Sequence, residues 1–367
     1  MTGCPVLLYN HGTRKGEIVD LMQILDKLPD ALLPWYAAGH RDLPWRQTRE
    51  PYRIWLSEIM LQQTRVEAVK GYYSRFLTAL PDVEALAQCP DEVLHKLWEG
   101  LGYYSRVRNL KKAAQVIVQD YAGIFPQTYQ QVLALPGIGE YTAGAICSIA
   151  FNLPTPAVDG NVLRVCSRLL DDPAPIDLPA TKARIREGLA AVYPENAGDF
   201  TQALMELGAT LCGPNRKPEC EQCPCHSFCL GYQNKTADKL PVKSPKKEKR
   251  QEDRTVFILS CDGRYALEKR PQTGLLAGLW QFPNVAGHLS LDAALSQVEQ
   301  LGLHPRQVLR EVSRKHIFTH IQWNMKGLYL EVSNTGGNFQ WFTAEEIRTK
   351  AALPTAFRQF WEEIEDV

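Results

Sequence analysis

Four cysteines with short, unequal spacing form the densest chemical motif in the 367-residue chain. They are separated by seven, two and five residues, at Cys212, Cys220, Cys223 and Cys229. Four thiolates on one short loop repel one another unless a cation neutralises them, so the motif predicts a metal centre. Zinc and a four-iron cluster both accept four thiolates, and the spacing leaves both open. Cys225 and His226 lie inside the loop, where a saturated four-thiolate site needs no fifth donor.

Two carboxylates lie in patterns that suit acid–base chemistry. Asp159, in the polar break VDGN before an apolar segment, is either a plain helix N-cap or a catalytic anion. Both roles can coexist, because the helix dipole stabilises an ionised carboxylate at that end. Glu58 is predicted on a helix whose same face carries Ile54, Leu61 and Gln62. Such aliphatic neighbours raise the pKa of a carboxyl group, as a proton donor requires.

A glycine-containing turn is predicted between two helical stretches at LPGIGEYTA, residues 135–143. Gly137 and Gly139 allow a tight turn in which backbone N–H groups at the start of the next helix point outward. Such exposed amides suit a DNA phosphate and read no base. Taken alone, a GxG pattern is an ordinary turn.

The composition limits the class of protein but does not indicate a binding partner. The 41 basic and 41 acidic residues balance, and 45% hydrophobic content over this length suits two or three domains. The sequence contains no uninterrupted apolar run of roughly 20 residues, and Met1–Gly16 lacks a signal-peptide pattern. We therefore expect a soluble, cytoplasmic protein whose clustered cysteines bind metal and form no disulfides.

The pattern of apolar residues changes twice along the chain. Apolar residues recur at helical spacing from Ile18 to about Ala209, which predicts a nearly all-helical half. Large apolar residues almost vanish between Gly231 and Arg254, which predicts an extended linker. This linker is either a solvated tether or a phosphate-binding strap. Its basic members are Lys243, Lys246, Lys247, Lys249 and Arg250.

The remaining C-terminal segment mixes strand and helix patterns. Strands are predicted over 255–260, 265–268 and 328–332, and helices over 291–301 and 344–350. Together these predict a separate α+β domain of about 110 residues.

The hairpin, the VDGN break and the cysteine loop together resemble the helix-hairpin-helix glycosylases with an iron–sulfur cluster, in particular the adenine DNA glycosylase (MutY) family. The most specific stretches are LPWR at 43–46 and WLSEIMLQQT at 55–64. The resemblance covers about residues 30 to 365. It implies a multidomain protein, with an all-α helix-hairpin-helix domain carrying the cluster loop and a C-terminal α+β Nudix-like (MutT-like) domain.

The resemblance also implies domain limits. A helical catalytic domain spans 17–230, with a six-helix module at about 45–150 and an iron–sulfur module from 17–44 and 151–230. A basic linker, 231–253, leads to a lesion-recognition domain at 254–367. The Nudix-like domain lacks the REXXEE carboxylates of pyrophosphate hydrolases, so it is expected to bind without hydrolysing.

By resemblance, Glu58 protonates the departing adenine at N7 while Asp159 stabilises an oxocarbenium-like sugar, with or without a transient covalent adduct, and water completes hydrolysis. Tyr141 and Asn161 would support Asp159. Bifunctional relatives carry a lysine where this chain has Tyr141, so little strand cleavage is expected.

The implied partner is double-stranded DNA with adenine opposite 8-oxoguanine or guanine, and the implied cofactor is a [4Fe–4S] cluster held by the four cysteines. The protein is expected to be a monomer. Expected contacts to the DNA or the flipped base are Arg46, Trp45, Gln63, Leu101, Tyr103, Gly137, Gly139 and Gln202. Recognition of the damaged base is assigned to Phe318, Thr319 and His320. Arg216 and Lys217, on the cysteine loop, are expected to face phosphate.

The sequence departs from the family pattern at two points. Two alternatives to an adenine glycosylase are also left open. The first cysteine interval has seven residues where the family usually has six, and Thr319 replaces a serine. One alternative is a related glycosylase that excises another base, such as a mismatched thymine, or a bifunctional lyase. The other is a noncatalytic lesion-binding protein, which the presence of both carboxylates disfavours.

Overall fold

The computed structural model describes residues 22–214, 217–245 and 248–365. Two compact units share these residues. The first takes those up to Gln63 and those from Gln119 to Pro245, and the second takes Thr64–Val118 and those that follow Pro245. The second unit therefore combines a helical segment of the N-terminal half with the predicted C-terminal domain, a grouping that the sequence pattern does not reveal.

Some sequence predictions lie outside the described residues. They concern Met1–Gly16, Arg216, Lys246 and Lys247. In the part of the chain that is described, no helix is both long and apolar enough to cross a membrane.

The first unit is helical, as predicted. Its helices are α1 (Leu28–Ala38), α2 (Pro51–Leu61), α7 (Tyr129–Leu133), α8 (Glu140–Phe151), α9 (Gly160–Leu169), α10 (Pro179–Ala191), α11 (Ala197–Ala209) and α12 (Leu230–Gln233). The start of α2 follows from its sequence: Pro51 suits the first turn, and the Glu50 side chain accepts hydrogen bonds from the backbone N–H groups of Tyr52 and Arg53, both at 3.0 Å.

The core of the first unit brings α1, α9 and α11 together. Leu28 and Leu32 of α1, Val162 of α9 and Phe200 and Leu207 of α11 are all buried in one cluster. On the neighbouring helix, Gly144 permits a close approach, because a Cβ there would overlap the carbonyl oxygen of Pro156. Close packing of these helices fixes the ends of α2, α8 and α9, where the candidate site lies.

Residues 231–245, predicted as the start of an extended linker, are packed onto the first unit. Ala237 and Leu240 are buried. The carbonyl oxygen of Leu240 accepts a hydrogen bond from Arg168 Nε at 2.9 Å, and that of Val242 accepts one from the Ile176 N–H at 3.1 Å. This part of the linker is therefore bound along its length and is not a solvated tether.

The second unit contains helices and a mixed sheet. Its helices are α3 (Val66–Ala79), α4 (Val83–Gln88), α5 (Asp91–Leu97), α6 (Ser105–Asp120), α13 (Leu291–Gln300), α14 (Ala344–Lys350) and α15 (Thr355–Glu365). Its strands are β1 (Arg250–Cys261), β2 (Arg264–Lys269), β3 (Trp280–Gln281), β4 (Asn284–Ala286), β5 (Pro305–Ile317), β6 (Ile321–Val332) and β7 (Gln340–Thr343).

The strand order is β3-β2-β1-β6-β5, with β4 paired to β1 and β7 to β2. The β1–β6 pair is parallel and the other pairs are antiparallel. Along β1, Val256 and Ile258 face one hydrophobic cluster, whereas Phe257 and Leu259 face the other. This alternation is the period of two expected for a strand covered on both faces.

All five elements predicted for the C-terminal domain are confirmed. Helix α14 has the predicted ends, 344–350, and the other four elements have shifted ends. Strand β1 begins at Arg250, inside the segment predicted as linker. Strand β5 was missed, because all of its residues are exposed or half-buried and give no apolar signal. The stretch IFTHIQW, which resembles a single strand when taken alone, contains the end of β5, a turn at 318–320 and the start of β6.

Candidate active site

Glu58 lies on α2 in the first unit and is 4% exposed. The hydroxyl of Tyr141, on α8, donates a hydrogen bond to Glu58 Oε2 at 2.5 Å. Burial raises the pKa of Glu58 to about 7; the Tyr141 hydrogen bond lowers it, nearby Asp159 raises it, and Arg46 lowers it. The predicted rise is confirmed, and the group can hold a proton near neutral pH.

Asp159 is the N-cap of α9, as predicted. Its Oδ1 accepts hydrogen bonds from the backbone N–H groups of Asn161 at 2.9 Å and Val162 at 2.8 Å, and its Oδ2 accepts one from Asn161 Nδ2 at 2.7 Å. Burial raises the pKa of Asp159, and these hydrogen bonds oppose the rise. The cap therefore holds the carboxylate in place and favours its charge, against the cost of desolvation.

Two residues that the sequence patterns did not single out hold Asn161. Arg164 Nη2 donates to Asn161 Oδ1 at 2.9 Å and to the carbonyl oxygen of Gly208 at 2.7 Å. A Cβ at Gly208 would lie 2.9 Å from Asn161 Cβ, so α11 packs directly against the cap. Arg164 Nε also donates to the carbonyl oxygen of Cys212 at 3.0 Å, which ties the cap to the cysteine loop.

Tyr141 acts on Glu58 as a neutral donor. Burial raises the pKa of its phenol well above 10, and the neighbouring charges of Glu58 and Asp159 raise it further. The phenol therefore stays protonated and stabilises the charged form of Glu58 through its hydrogen bond.

We expect Tyr141→Phe to move the alkaline limb of the pH–rate profile upward by about one pH unit, since a hydrogen bond to a charged group is lost. The sign follows from the lost donor: without it the Glu58 anion is less stable, so the pKa of Glu58 rises. The measurement is the single-turnover rate of base release against pH. Tyr129→Phe, on α7, is the control and should leave the profile unchanged; a downward move in Tyr141→Phe would contradict the assignment.

Arg46 is part of a buried ion-pair cluster beside the site. Its Nη2 lies 2.6 Å from Glu206 Oε2, and Arg41 Nη2 lies 2.7 Å from the same oxygen. Burial alone would raise the pKa of Glu206, but the hydrogen bonds from Arg41 and Arg46 lower it to about 2. Glu206, on α11, is thus a permanent anion that fixes Arg46 near Glu58. No sequence motif had marked it.

The four predicted ligand cysteines line one small cavity of about 20 Å³. Apolar side chains, among them Leu169 and Leu207, form the rest of its wall. Arg168 Nη1 lies 3.2 Å from Cys212 Sγ and can stabilise a thiolate there. Over the described ranges, no three His, Cys, Asp or Glu side chains are arranged to hold a single metal ion. Cys225, the extra thiol, is fully buried in the core.

A groove of about 1140 Å³ opens next to Asp159 and carries several cations. Lys217, predicted to face phosphate, lies on its wall. The packed linker segment also contributes cations, so the groove extends along residues that the sequence patterns assigned to a tether. The lysines of the groove are Lys182, Lys217, Lys239 and Lys243.

In the second unit, the turn after α5 and the turn between β5 and β6 line one cavity of about 470 Å³, here called the Phe318 cavity. Its wall includes Tyr103, which has a positive φ of 46° and is 48% exposed, and Phe318, Thr319 and His320. The Phe318 ring packs edge-on against Trp323 at 4.9 Å, so it anchors the turn. Thr319 and His320 are exposed.

The other predicted DNA contacts differ in accessibility. Gly137 has a positive φ of 76° and Gly139 is the N-cap of α8, as a tight hairpin requires. Gln63, just beyond α2, also has a positive φ of 59°. The remaining three predicted contacts are buried in the free protein: Trp45, Leu101 and Gln202.

Two segments of the chain match known protein families. Residues 56–187 match the HhH-GPD superfamily of base excision DNA repair proteins, and residues 254–363 match the NUDIX domain. A solved thermostable thymine-DNA glycosylase is similar to this chain with a TM-score of 0.52 at 30% identity, covering 58% of this chain and 98% of that one.

Similarity to two named relatives extends over nearly the whole chain. The adenine DNA glycosylase of Arabidopsis thaliana is 37% identical over 388 residues, covering 90% of this chain and 61% of the plant protein. This chain therefore spans about three fifths of the length of that relative. The adenine DNA glycosylase of Homo sapiens is 36% identical over 397 residues, covering 90% of this chain and 72% of the human protein. The chain belongs to the adenine DNA glycosylase family, with a helix-hairpin-helix glycosylase fold followed by a Nudix domain.

Proposed function

We propose that this protein finds adenine opposite 8-oxoguanine or guanine in duplex DNA, flips the adenosine out and hydrolyses its glycosidic bond. One observation carries the proposal: burial raises the pKa of Glu58 to about 7, whereas the half-buried Asp159 accepts N-cap hydrogen bonds that oppose the rise of its own pKa. A proton donor and an anion held by different surroundings are the pair that glycoside hydrolysis needs.

The different surroundings of Glu58 and Asp159 suit the two carboxylates to different roles in the reaction. Glu58, about half protonated at neutral pH, donates its proton to N7 of adenine and so turns the base into a better leaving group. Asp159 faces the positive charge that develops on the sugar, and Asn161 keeps its carboxylate aligned. The C1′–N9 bond breaks and adenine leaves. Water then adds to C1′ and gives its proton to the Glu58 carboxylate, which restores the acid. Strand cleavage is not expected, because Tyr141 offers no amine for an imine.

The groove beside Asp159 suits the DNA backbone. Its lysines supply positive charge without base-reading geometry, as phosphate contacts do. The hairpin glycines would place backbone N–H groups against another phosphate. Binding there is expected to weaken as salt concentration rises.

The Phe318 cavity is the proposed site for the base opposite the adenine. It brings together Tyr103, exposed enough to enter the base stack, and the exposed residues Thr319 and His320. Its volume of about 470 Å³ lies in the range of small-molecule sites, which is enough for a purine.

We propose that the four cysteines bind a [4Fe–4S] cluster. The four thiols line one shared cavity, as ligands of a single centre should. Zinc and a four-iron cluster both accept four thiolates, and the resemblance to glycosylases with an iron–sulfur cluster favours the cluster. When bound, the cluster would brace the loop that carries Lys217; Arg168 and Arg164 connect that loop to α9.

We expect Cys223→Ser to lose the cluster, lowering bound iron from about four atoms per chain to nearly none, because one of its thiolate ligands is gone. The measurement is iron content with visible absorption of protein purified without oxygen. Cys225→Ala is the matched control in the same loop and should retain iron. Equal iron in Cys223→Ser, or about one zinc per wild-type chain, would contradict the cluster assignment.

The activity is tested with duplexes that differ only at one base pair: adenine opposite 8-oxoguanine, adenine opposite guanine, and thymine opposite guanine. Adenine release from the first two, with strand breaks appearing only after alkali, is the expected result. Release of thymine would instead support the specificity named for the thymine-DNA glycosylase of similar fold. Breaks without alkali would show a lyase activity.

A further inference from the structure

The carboxylate of Glu99 is not used in any step above, yet it is buried and fully engaged. Its side chain is 8% exposed, and its Oε2 lies 2.6 Å from Lys96 Nζ. Its Oε1 accepts a hydrogen bond from the backbone N–H of Leu353 at 2.9 Å, across 254 residues of sequence. Such a bond joins two chain segments that nothing local in the sequence would bring together.

The two chain segments joined by this hydrogen bond both continue into the wall of the Phe318 cavity. On one side, the wall residues Gly102–Ser105 follow closely after Glu99; on the other, Pro354 and Thr355 follow Leu353 directly. The Glu99 side chain therefore ties together two walls of one cavity. Neither wall can shift without breaking or stretching this bond.

The turn that carries Glu99 is itself held firmly. The hydroxyl of Tyr72 donates to the carbonyl oxygen of Glu99 at 2.7 Å, and Trp98 Nε1 donates to that of Gly102 at 3.0 Å. Because the turn is fixed, the Glu99 side chain holds the Leu353 segment to it. Lys96 Nζ adds hydrogen bonds just before this segment, to the carbonyl oxygens of Ile347 at 3.4 Å and Ala351 at 3.3 Å.

We propose that Glu99 is a positioning residue that holds Leu353–Thr355 in place against the turn bearing Tyr103, and so sets the preference for 8-oxoguanine over guanine opposite the adenine. The inference rests on the proposed function. A buried carboxylate that accepts a backbone hydrogen bond is costly to remove, since the Leu353 N–H loses its acceptor and Lys96 loses its ion pair. The two purines differ by few atoms, so small displacements of a wall alter the discrimination between them.

The test compares Glu99→Ala with Glu99→Gln. The readout is the ratio of single-turnover rates of adenine release for adenine opposite 8-oxoguanine and opposite guanine. We expect Glu99→Ala to lower this ratio about tenfold, the size of one hydrogen bond to a charged group. Glu99→Gln should retain most of the ratio, because an amide oxygen can still accept from Leu353. Glu345→Ala, which removes an exposed carboxylate on α14, is the control. Thermal unfolding confirms that each variant is folded.

The inference is overturned if folded Glu99→Ala keeps the wild-type ratio, or if Glu99→Gln loses as much as Glu99→Ala, since charge and not this hydrogen bond would then be responsible. These results are separable from failure of the proposed function. A wild-type protein that releases no adenine overturns the proposed function itself. One that releases adenine at equal rates opposite both purines overturns this inference and leaves the proposed function standing.

Discussion

Glu58→Gln is expected to lower the single-turnover rate of adenine release by about 10²- to 10⁴-fold, the usual contribution of a general acid. Glutamine nearly matches the size of glutamate and can still accept the hydrogen bond from Tyr141, so the fold should survive. Glutamine cannot transfer a proton to N7 of adenine. Glu187→Gln, an exposed position on α10, is the matched control and should retain the wild-type rate.

The pH dependence of the rate of adenine release is a second test of Glu58 as the general acid. The pKa of Glu58 is raised to about 7, so the acid is mostly protonated below pH 7 and mostly ionised above it. The rate should therefore fall about tenfold per pH unit on the alkaline side and level off on the acid side, until other groups titrate. The measurement is a single-turnover rate at saturating protein across pH 5 to 9, values chosen to span about two units on each side. Glu58→Gln should lose this limb; a limb of the same midpoint in the variant would assign the proton to another group.

The surroundings of the two carboxylates could be predicted because they depend on neighbours close in sequence. The aliphatic face around Glu58 repeats at helical spacing, and its desolvating effect is visible in the raised pKa. The cap at Asp159 needs only the two residues that follow it. Local patterns of this kind are the ones that sequence reasoning captures.

The supporting residues could not be predicted, because they act across large sequence separations. Arg164 reaches Gly208 and Cys212 only once α9 and α11 pack together. Glu206 accepts from Arg41 only once α11 packs against α1. Nothing in the local sequence around these residues distinguishes them from surface charges. Their role depends on burial that tertiary packing alone provides.

The linker is a second feature that its local sequence did not predict correctly. Its polar composition predicts a tether, yet Leu240 and its neighbours find partners on the first unit through backbone hydrogen bonds. Backbone groups carry no compositional signal, so a polar segment bound through them resembles a free one in sequence. Strand β5 was missed for a related reason, since its pairing with β6 is made by the backbone.

Asp159→Asn is expected to lower adenine release by about 10³-fold, because the anion facing the developing sugar cation is lost. Asparagine is as good an N-cap as aspartate and can still accept from the backbone N–H groups of Asn161 and Val162. Its amide nitrogen would face Asn161 Nδ2, which now donates to Asp159, so a stability cost of about 1 kcal/mol is expected. Duplex binding should remain, since this carboxylate holds no phosphate.

The experiment measures release and binding on the same protein, with binding assayed on a duplex whose adenosine carries a 2′-fluoro group that resists glycosidic cleavage. Asp82→Asn, at the N-cap of α4, is the matched control: it makes the same change at a cap whose side chain accepts from Ala85 N–H at 2.8 Å. The control should lose stability at most and keep its rate. If Asp159→Asn lost DNA binding in proportion to its rate, or kept the rate while folded, Asp159 would be a structural cap, and the oxocarbenium role would have to pass to another group.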